Sequence, residues 1–308
     1  MSRFMSRFTR NPAKTGILNE TNNNDEVLSP GKIIWKRFRR NKIAMIGSFI
    51  LLILIILAIL APVLTPYERD AMELQNREEP PSSEHLLGTD RQGRDLLTRV
   101  LYGGRISLSV GLVASSLQMV IGVILGSLAG YYGKWLDTLI MRITDMVIAF
   151  PFLALAITAA AVLGPSIYNT MLIIGFLTWT ETCRLVRGQF LSIKQMEYIE
   201  AAKATGANEF RIIWHHMLPN ALAPILISST LIMATAILVE AALSYLGLGV
   251  QAPMPSWGNI LEPARSMIVL MNMWWLWLPP GFLIFISVLS INLVGDGLRD
   301  ALDPRLKN

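Results

Sequence analysis

The stretch EYIEAAKATGANEFRIIWHHMLP, residues 197–219, lies between two long apolar runs and is polar enough to face water. Its pattern predicts a helix, a short turn and a second helix. Gly206 marks the turn, Asn208 is placed to cap the second helix, and Pro219 is expected to end it. The fold therefore has to place this polar stretch in water while the apolar runs on either side of it are buried.

The first predicted helix carries small side chains. Ala201 and Ala202 are expected to form a small-residue patch on one helical face. Another protein could grip a short helix with such a face closely. The alternative is an amphipathic loop that lies on a membrane surface, and the periodicity alone leaves both interpretations open.

The same stretch resembles the cytoplasmic "EAA" loop of the permease subunits of ATP-binding-cassette (ABC) importers. The family pattern has an apolar residue two positions before Leu218, where this chain has His216. The resemblance implies that the loop docks into a cleft on a separate ATPase subunit. The residues that match the pattern, and that it implies to be the ATPase-coupling residues, are Glu200, Ala201, Ala202, Gly206, Leu218 and Pro219.

The composition is that of a membrane protein. Of 308 residues, 53% are hydrophobic and 16% are charged, whereas about a quarter of a soluble domain is charged. This predicts an all-α polytopic membrane protein. The single cysteine, Cys183, excludes an internal disulfide and a multi-cysteine metal site. His215 and His216 are adjacent, so on a helix they would point about 100° apart and would be poor joint metal ligands.

The N-terminal segment is basic. The net charge is +5, and ten Lys or Arg precede Ile43. Residues 1–42 are predicted to form a cytoplasmic basic tail, disordered over most of 1–31 and ending in an interfacial helix over 32–42 that contacts anionic lipid. Nucleic acid is not the expected partner, because the basic residues are concentrated beside an apolar run.

Six apolar runs predict six transmembrane helices. The first span covers 43–64, the polar residues 65–105 form an extracytoplasmic loop, and residues 106–305 form a five-helix permease core that includes the coupling loop 188–220. Six crossings place both termini in the cytoplasm. The inside segments then hold 20 of the 27 Lys and Arg, as expected from the bias of basic residues toward the cytoplasm.

Two features of the core bear on its packing. Gly122, Gly126 and Gly130 recur at every fourth position, a spacing that lets helices approach closely in lipid. The third span, over 138–163, is expected to kink at Pro151.

A second stretch, HLLGTDRQGRDLLTRVLYGGRISL at 85–108, closely resembles the segment before the second span of the C-type permeases of dipeptide, oligopeptide and nickel importers. Its Gly88 and Gly93 suit turns, and residues 95–101 suit a short amphipathic helix. The resemblance implies a type I ABC importer fold in the bacterial inner membrane. It also implies a heterodimer with a second, homologous permease subunit, two ABC ATPase subunits and an extracytoplasmic solute-binding protein.

One acidic residue, Glu240, falls within the fifth span, which is predicted at 222–248. Such a residue should face a partner or a wet cavity rather than lipid. It is a candidate for the substrate path, or a structural carboxylate that is hydrogen-bonded between helices.

The sequence lacks a phosphate-binding loop, because neither Gly31-Lys32 nor Gly133-Lys134 is followed by Ser or Thr. The chain is therefore not expected to be an enzyme or to bind a cofactor, and ATP and Mg²⁺ are expected on partner ATPase subunits. The predicted function is the permease subunit of an ABC importer for di- or oligopeptides. The alternatives are a nickel or nickel-chelate permease of the same subfamily, an ion-coupled secondary transporter and a membrane enzyme.

Overall fold

The computed structural model describes residues 30–302, and within that range the chain is helical, with one isolated bridge between Thr89 and Asp95. Most of the basic tail predicted over residues 1–42 lies outside the described residues. Its last part is helical, as predicted, but the helix covers Pro30–Arg40 and ends before the predicted boundary at 42, because Asn41 caps the next helix.

The helices follow one another with short connections, except around residues 65–95 and 246–273, where longer segments intervene. In chain order they are α1 (Pro30–Arg40), α2 (Lys42–Leu64), α3 (Leu96–Tyr132), α4 (Lys134–Ala149), α5 (Phe152–Leu163), α6 (Ile167–Ile193), α7 (Glu197–Ala204), α8 (Glu209–Arg211), a π-helical stretch (Ile212–Met217), α9 (Leu218–Tyr245), α10 (Trp257–Ile260), a 3-10 turn (Glu262–Arg265), α11 (Met267–Asn272) and α12 (Trp274–Leu302).

Four helices of the described range are long and apolar enough to cross a membrane, namely Lys42–Leu64, Leu96–Tyr132, Glu209–Tyr245 and Trp274–Leu302. The bent pair α4 and α5 makes a fifth if it counts as one span. Helix α6 has 27 residues, but it is less apolar because it carries several threonines and the charged residues Glu181 and Arg184. Six crossings with both termini in the cytoplasm therefore stay a prediction.

The second long helix begins earlier than the predicted boundary at residue 106. Helix α3 starts at Leu96, so the short amphipathic helix expected over 95–101 is its first part. Asp95 is the reason for this start, since its Oδ2 accepts hydrogen bonds from the backbone N–H of Thr98 at 2.7 Å and from the Thr98 hydroxyl at 2.7 Å.

The kink expected at Pro151 is a complete break. Helices α4 and α5 meet there at 88°. Proline disfavours the helical conformation of the residue before it, and Phe150 is extended, with φ −93° and ψ 142°. The two helices therefore cannot form one straight rod.

Helix α3 is central to the bundle and packs along α6 through the predicted glycine series Gly122, Gly126 and Gly130. A Cβ added at Gly126 would lie 2.6 Å from the carbonyl oxygen of Cys183, and one added at Gly130 would lie 2.5 Å from the Cβ of Phe190. These distances leave no room for a side chain, so the prediction of close packing at the glycines is confirmed.

Candidate coupling segment and the buried Glu240 network

Ile199 is the fully buried apolar residue of helix α7. It packs with Phe190 of α6 and with Met217 and Ala221 at the beginning of the next long helix. In contrast, Glu200 and the residues around it on the outer side of α7 are exposed. The helix therefore lies on the ends of α6 and α9 and shows its polar side to the surroundings.

The small-residue patch predicted from Ala201 and Ala202 does not include Ala202 in the structure. Ala201 is exposed, whereas Ala202 is half-buried against the apolar cluster around Ile199. Consecutive residues on a helix point about 100° apart, so Ala201 and Ala202 cannot share a face. The exposed small residue that accompanies Ala201 is Ala204, which its three-residue spacing from Ala201 would have indicated.

The turn after α7 has the predicted construction. Gly206 has φ +79° and nothing within 4 Å of the place where a Cβ would be, so it supplies the left-handed backbone in open space. Asn208 caps the next helix, because its Oδ1 accepts a hydrogen bond from the backbone N–H of Arg211 at 2.8 Å.

Pro219 does not end the second helix, and this prediction is wrong. The helical path continues from Glu209 to Tyr245. A proline ring would clash with the carbonyl group four residues earlier in an α-helix, at His215. The chain is π-helical over Ile212–Met217, and this wider turn accommodates the ring while Leu218 N–H bonds to the carbonyl of Ile213.

The six predicted coupling residues therefore form two groups. Those that are exposed are Glu200, Ala201, Gly206 and Pro219, and those that are half-buried are Ala202 and Leu218. The exposed members offer a carboxylate, small side chains and a tight turn. Such a surface suits close contact with a partner and lacks a nucleophile or a proton-transfer pair.

The ends of the neighbouring helices are tied together by charged side chains. Lys194 Nζ donates a hydrogen bond to the Tyr131 carbonyl at 2.6 Å, which joins α6 to α3. Arg187 forms two bonds with Asp137, from Nε to Oδ1 at 2.5 Å and from Nη2 to Oδ2 at 2.7 Å, which joins α6 to α4. Sequence reasoning did not single out these contacts, because they join residues 50 or more positions apart.

Glu240 lies at the other end of α9 in an enclosed network. Its side chain is 0% exposed. Ser107 of α3 donates a hydrogen bond to Oε2 at 2.7 Å, and Ser244 donates one to Oε1 at 2.7 Å. Ser107 Oγ in turn accepts a hydrogen bond from the backbone N–H of Trp257 at 3.2 Å, and Ser244 Oγ accepts one from Val250 N–H at 3.0 Å.

This geometry corresponds to the structural role considered for Glu240. The carboxylate joins α3, α9 and the segment after α9, and both of its oxygens have protein partners. The ion-coupled transporter alternative requires ionisable residues deep in the spans, for which Glu240 is the candidate. The described residues enclose this side chain completely.

The histidines do not assemble a metal site in the described range. His85 is buried and its Nδ1 lies 3.0 Å from Asp95 Oδ1. Between residues 30 and 302, no group of three or more His, Cys, Asp or Glu side chains is placed to hold a metal ion.

Comparison with known families identifies the class. The family described as "binding-protein-dependent transport system inner membrane component" matches residues 122–308, and that described as "N-terminal TM domain of oligopeptide transport permease C" matches residues 29–81. The chain therefore belongs to the family of binding-protein-dependent transport system inner membrane components. It is a multi-pass ABC transport permease of the bacterial inner membrane, which confirms the resemblance found in the sequence.

Relatives match nearly the whole chain. It is 47% identical over 281 residues to the dipeptide transport system permease protein DppC of Alkalihalophilus pseudofirmus, covering 91% of this chain and 92% of the relative. It is 40% identical over 302 residues to DppC of Bacillus subtilis, covering 96% and 94%. It is 42% identical over 278 residues to the oligopeptide transport system permease protein OppC of Bacillus subtilis, covering 89% and 90%.

A solved structure supports the fold. The chain is similar to the MetNI methionine ABC transporter in an inward-facing conformation, with a TM-score of 0.54 and 19% identity over 67% of this chain and 97% of that chain. The likeness shows the architecture, which is the predicted transmembrane fold of a type I ABC importer permease.

Proposed function

We propose that the chain is the permease subunit of an ABC importer for dipeptides or oligopeptides and forms the translocation path with a second, homologous permease subunit. The observation that carries the substrate class is the identity of 40–47% over most of each chain to permeases named for dipeptide or oligopeptide transport. It favours peptide over the nickel alternative.

We call α7 and the turn that follows it, residues 197–208, the coupling segment. Its exposed part, around Glu200, Ala201 and Gly206, is proposed to dock on one of two ABC ATPase subunits. ATP and Mg²⁺ bind those partners, and this chain binds neither. The support is structural: α7 presents small side chains outward while Ile199 fixes it to α6 and α9. A displacement of α7 by the ATPase subunit therefore moves the ends of α6 and α9. This arrangement suits a transporter that works by alternating access.

The extracytoplasmic solute-binding protein is proposed to contact residues 65–105 and 251–275. Both segments lie at the end of α9 that is remote from α7. They are joined to each other, since Trp257 Nε1 donates a hydrogen bond to the Val100 carbonyl at 3.0 Å. A displacement of either segment on docking would therefore be passed to α3.

The experiment is uptake of radiolabelled di-, tri- and pentapeptides, and of nickel, in a strain that lacks this subunit. Restoring the chain should restore uptake of at least one peptide class and leave nickel uptake unchanged. Restored nickel uptake without peptide uptake would contradict the peptide assignment and support the nickel alternative.

A further inference from the structure

A cavity of about 300 Å³ opens at the end of the bundle remote from α7. Its walls are the turn that leads into α3, over 90–99, and the segment after α9, over 247–265. Helix α9 has 28 residues, so at 1.5 Å per residue the cavity lies about 40 Å from the coupling segment. The charged side chains in its wall are Asp90, Arg91, Arg94, Arg99, Glu262 and Arg265.

Arg99 is the unusual member of this wall. It is 4% exposed, and its Nη1 has no hydrogen-bond partner among the residues that the structure describes. The nearest carboxylate contact is that between Arg99 Nε and Asp90 Oδ2, at 3.4 Å. A buried guanidinium whose N–H groups are not all paired lowers the free energy of unfolding. A ligand that pairs with Arg99 would explain why the residue is buried here.

Asp90 cannot supply the missing partner, because its acceptor positions are already used. Its Oδ1 accepts the backbone N–H groups of Gln92 at 2.8 Å and of Arg94 at 3.0 Å. Its Oδ2 accepts Arg94 Nε at 2.7 Å and Arg94 Nη2 at 2.7 Å. A carboxylate has about four acceptor sites, and these bonds fill them.

The other charges around the cavity are arranged in pairs. Arg265 faces Glu262 at 3.8 Å, and Arg91 faces Glu78 at 3.5 Å. Behind the wall, Asp70 also acts electrostatically on Arg99. Asp70 is bonded to its neighbour Arg69 through Oδ2, and its Oδ1 is buried without a hydrogen-bond partner among the described residues. The guanidinium groups of Arg69, Arg94 and Arg99 therefore face only the two carboxylates of Asp70 and Asp90, which leaves one positive charge in excess beside the cavity.

We propose that this cavity is a carboxylate-binding pocket in which Arg99 holds the carboxylate. A guanidinium presents planar, directed donors that match a carboxylate, and a charge-assisted bond is strongest where water is excluded. One surplus positive charge suits a singly charged anion. The proposal rests on the proposed function for the source of the ligand, which is either the C-terminal carboxylate of the transported peptide or an Asp or Glu side chain of the solute-binding protein.

The first test uses the purified transporter assembly and needs no variant. Acetate is titrated at constant ionic strength against its neutral analogue acetamide, and thermal stability is followed. Acetate should raise the midpoint of unfolding and acetamide should not. Equal responses to both, or no response to acetate, would overturn the proposal.

Two variants then assign the effect to Arg99. Arg99→Gln should weaken acetate binding about tenfold or more, because a hydrogen bond to a charged group is lost. Arg99→Lys keeps the charge without the planar fork and should be intermediate, and it serves as the reporter if Arg99→Gln does not assemble. Arg77→Gln, at an exposed position of the same segment, is the matched control and should bind acetate like the wild type. Unchanged acetate binding in both Arg99 variants would overturn the proposal.

A third measurement separates the two sources of the carboxylate. If the peptide supplies it, Arg99→Lys should raise KM for a free-acid peptide and leave KM for the C-terminally amidated peptide unchanged. If the binding protein supplies it, the variant should weaken docking of that protein whether or not peptide is bound. If Arg99→Lys produces neither effect, the pocket assignment is overturned. Peptide uptake by the wild-type chain in the same assay would still leave the proposed function intact.

Discussion

Lys194, the residue that caps the end of α6, donates a hydrogen bond from Nζ to the backbone carbonyl of Tyr131 in α3 over 2.6 Å, and its ammonium lies 5.5 Å from the centre of the Tyr131 ring. Glu197, the first residue of α7, follows three positions later. The contact fixes the α6 end that carries α7 to the central helix of the bundle. The end of α6 from which the coupling segment continues is therefore fixed to α3.

Loss of the hydrogen bond between Lys194 and the Tyr131 carbonyl should make the position of the coupling segment less fixed. Lys194→Met removes the charged donor, worth about 1.5–3 kcal/mol, and we expect peptide uptake to fall severalfold while the amount of subunit in the membrane is unchanged. Lys194→Arg keeps a charged donor and should retain most of the uptake. Wild-type uptake in Lys194→Met would show that the contact does not transmit force.

The exposed side of α7 is expected to be needed for ATPase contact and not for folding. Glu200→Lys reverses an exposed charge, so the free energy of unfolding should change by no more than about 0.5 kcal/mol, while ATPase co-purification and uptake are lost. Gly206→Pro should have the same functional effect, because proline cannot adopt the φ of +79° found there.

Glu84→Lys is the matched control, since it makes the same charge change at an exposed position in the 65–95 segment. It should leave ATPase co-purification unchanged. Wild-type uptake in Glu200→Lys or in Gly206→Pro would refute the docking role.

The α3–α6 contact allows a comparison of two identical substitutions. Gly130→Ala places a Cβ 2.5 Å from that of Phe190 and should cost about 1–3 kcal/mol through overpacking. Gly188→Ala meets nothing within 4 Å and should be neutral or stabilise by up to about 1 kcal/mol. Thermal unfolding of the purified chains measures both, and equal effects would contradict the packing described for α3.

Glu240 should matter for assembly before it matters for transport. Glu240→Ala removes the acceptor of two buried serine hydroxyls and leaves a void, so we expect a loss of at least about 2 kcal/mol in the free energy of unfolding. Glu240→Gln keeps the volume and one acceptor oxygen and should cost less. A Glu240→Gln chain that is stable and assembled but transports poorly would instead place the carboxylate on the substrate path.

Much of the fold is predictable because membrane insertion and turn chemistry act locally. The apolar runs, the glycine series, the Gly206 turn and the Asn208 cap each depend on a few neighbouring residues. Pro151 shows the limit of such reasoning: a proline predicts a bend, but its angle of 88° depends on where α4 and α5 find packing partners.

The errors arise where one local signal is overridden by another. Pro219 is a helix breaker, yet the π-helical turn before it lets the helix continue. Ala202 follows Ala201 in the motif but turns toward the buried cluster, because the position of Ile199 sets the rotation of α7. The missing partner of Arg99 Nη1 cannot be predicted from the sequence, since it depends on how the acceptor positions of Asp90 are occupied by Arg94.

The central claim is that α7 lies on the cytoplasmic side of the membrane, where the ATPase subunits dock. The most direct test is to determine from which side of the membrane α7 can be labelled. Ala201→Cys is labelled with a membrane-impermeant maleimide in right-side-out and in inside-out vesicles, and the native Cys183 gives little background because it is fully buried. Glu84→Cys serves as the marker of the opposite face. We predict labelling of Ala201→Cys only in inside-out vesicles, with protection when the ATPase subunits are bound, and labelling of Glu84→Cys only in right-side-out vesicles. Labelling of Ala201→Cys only from the outer face would contradict the account.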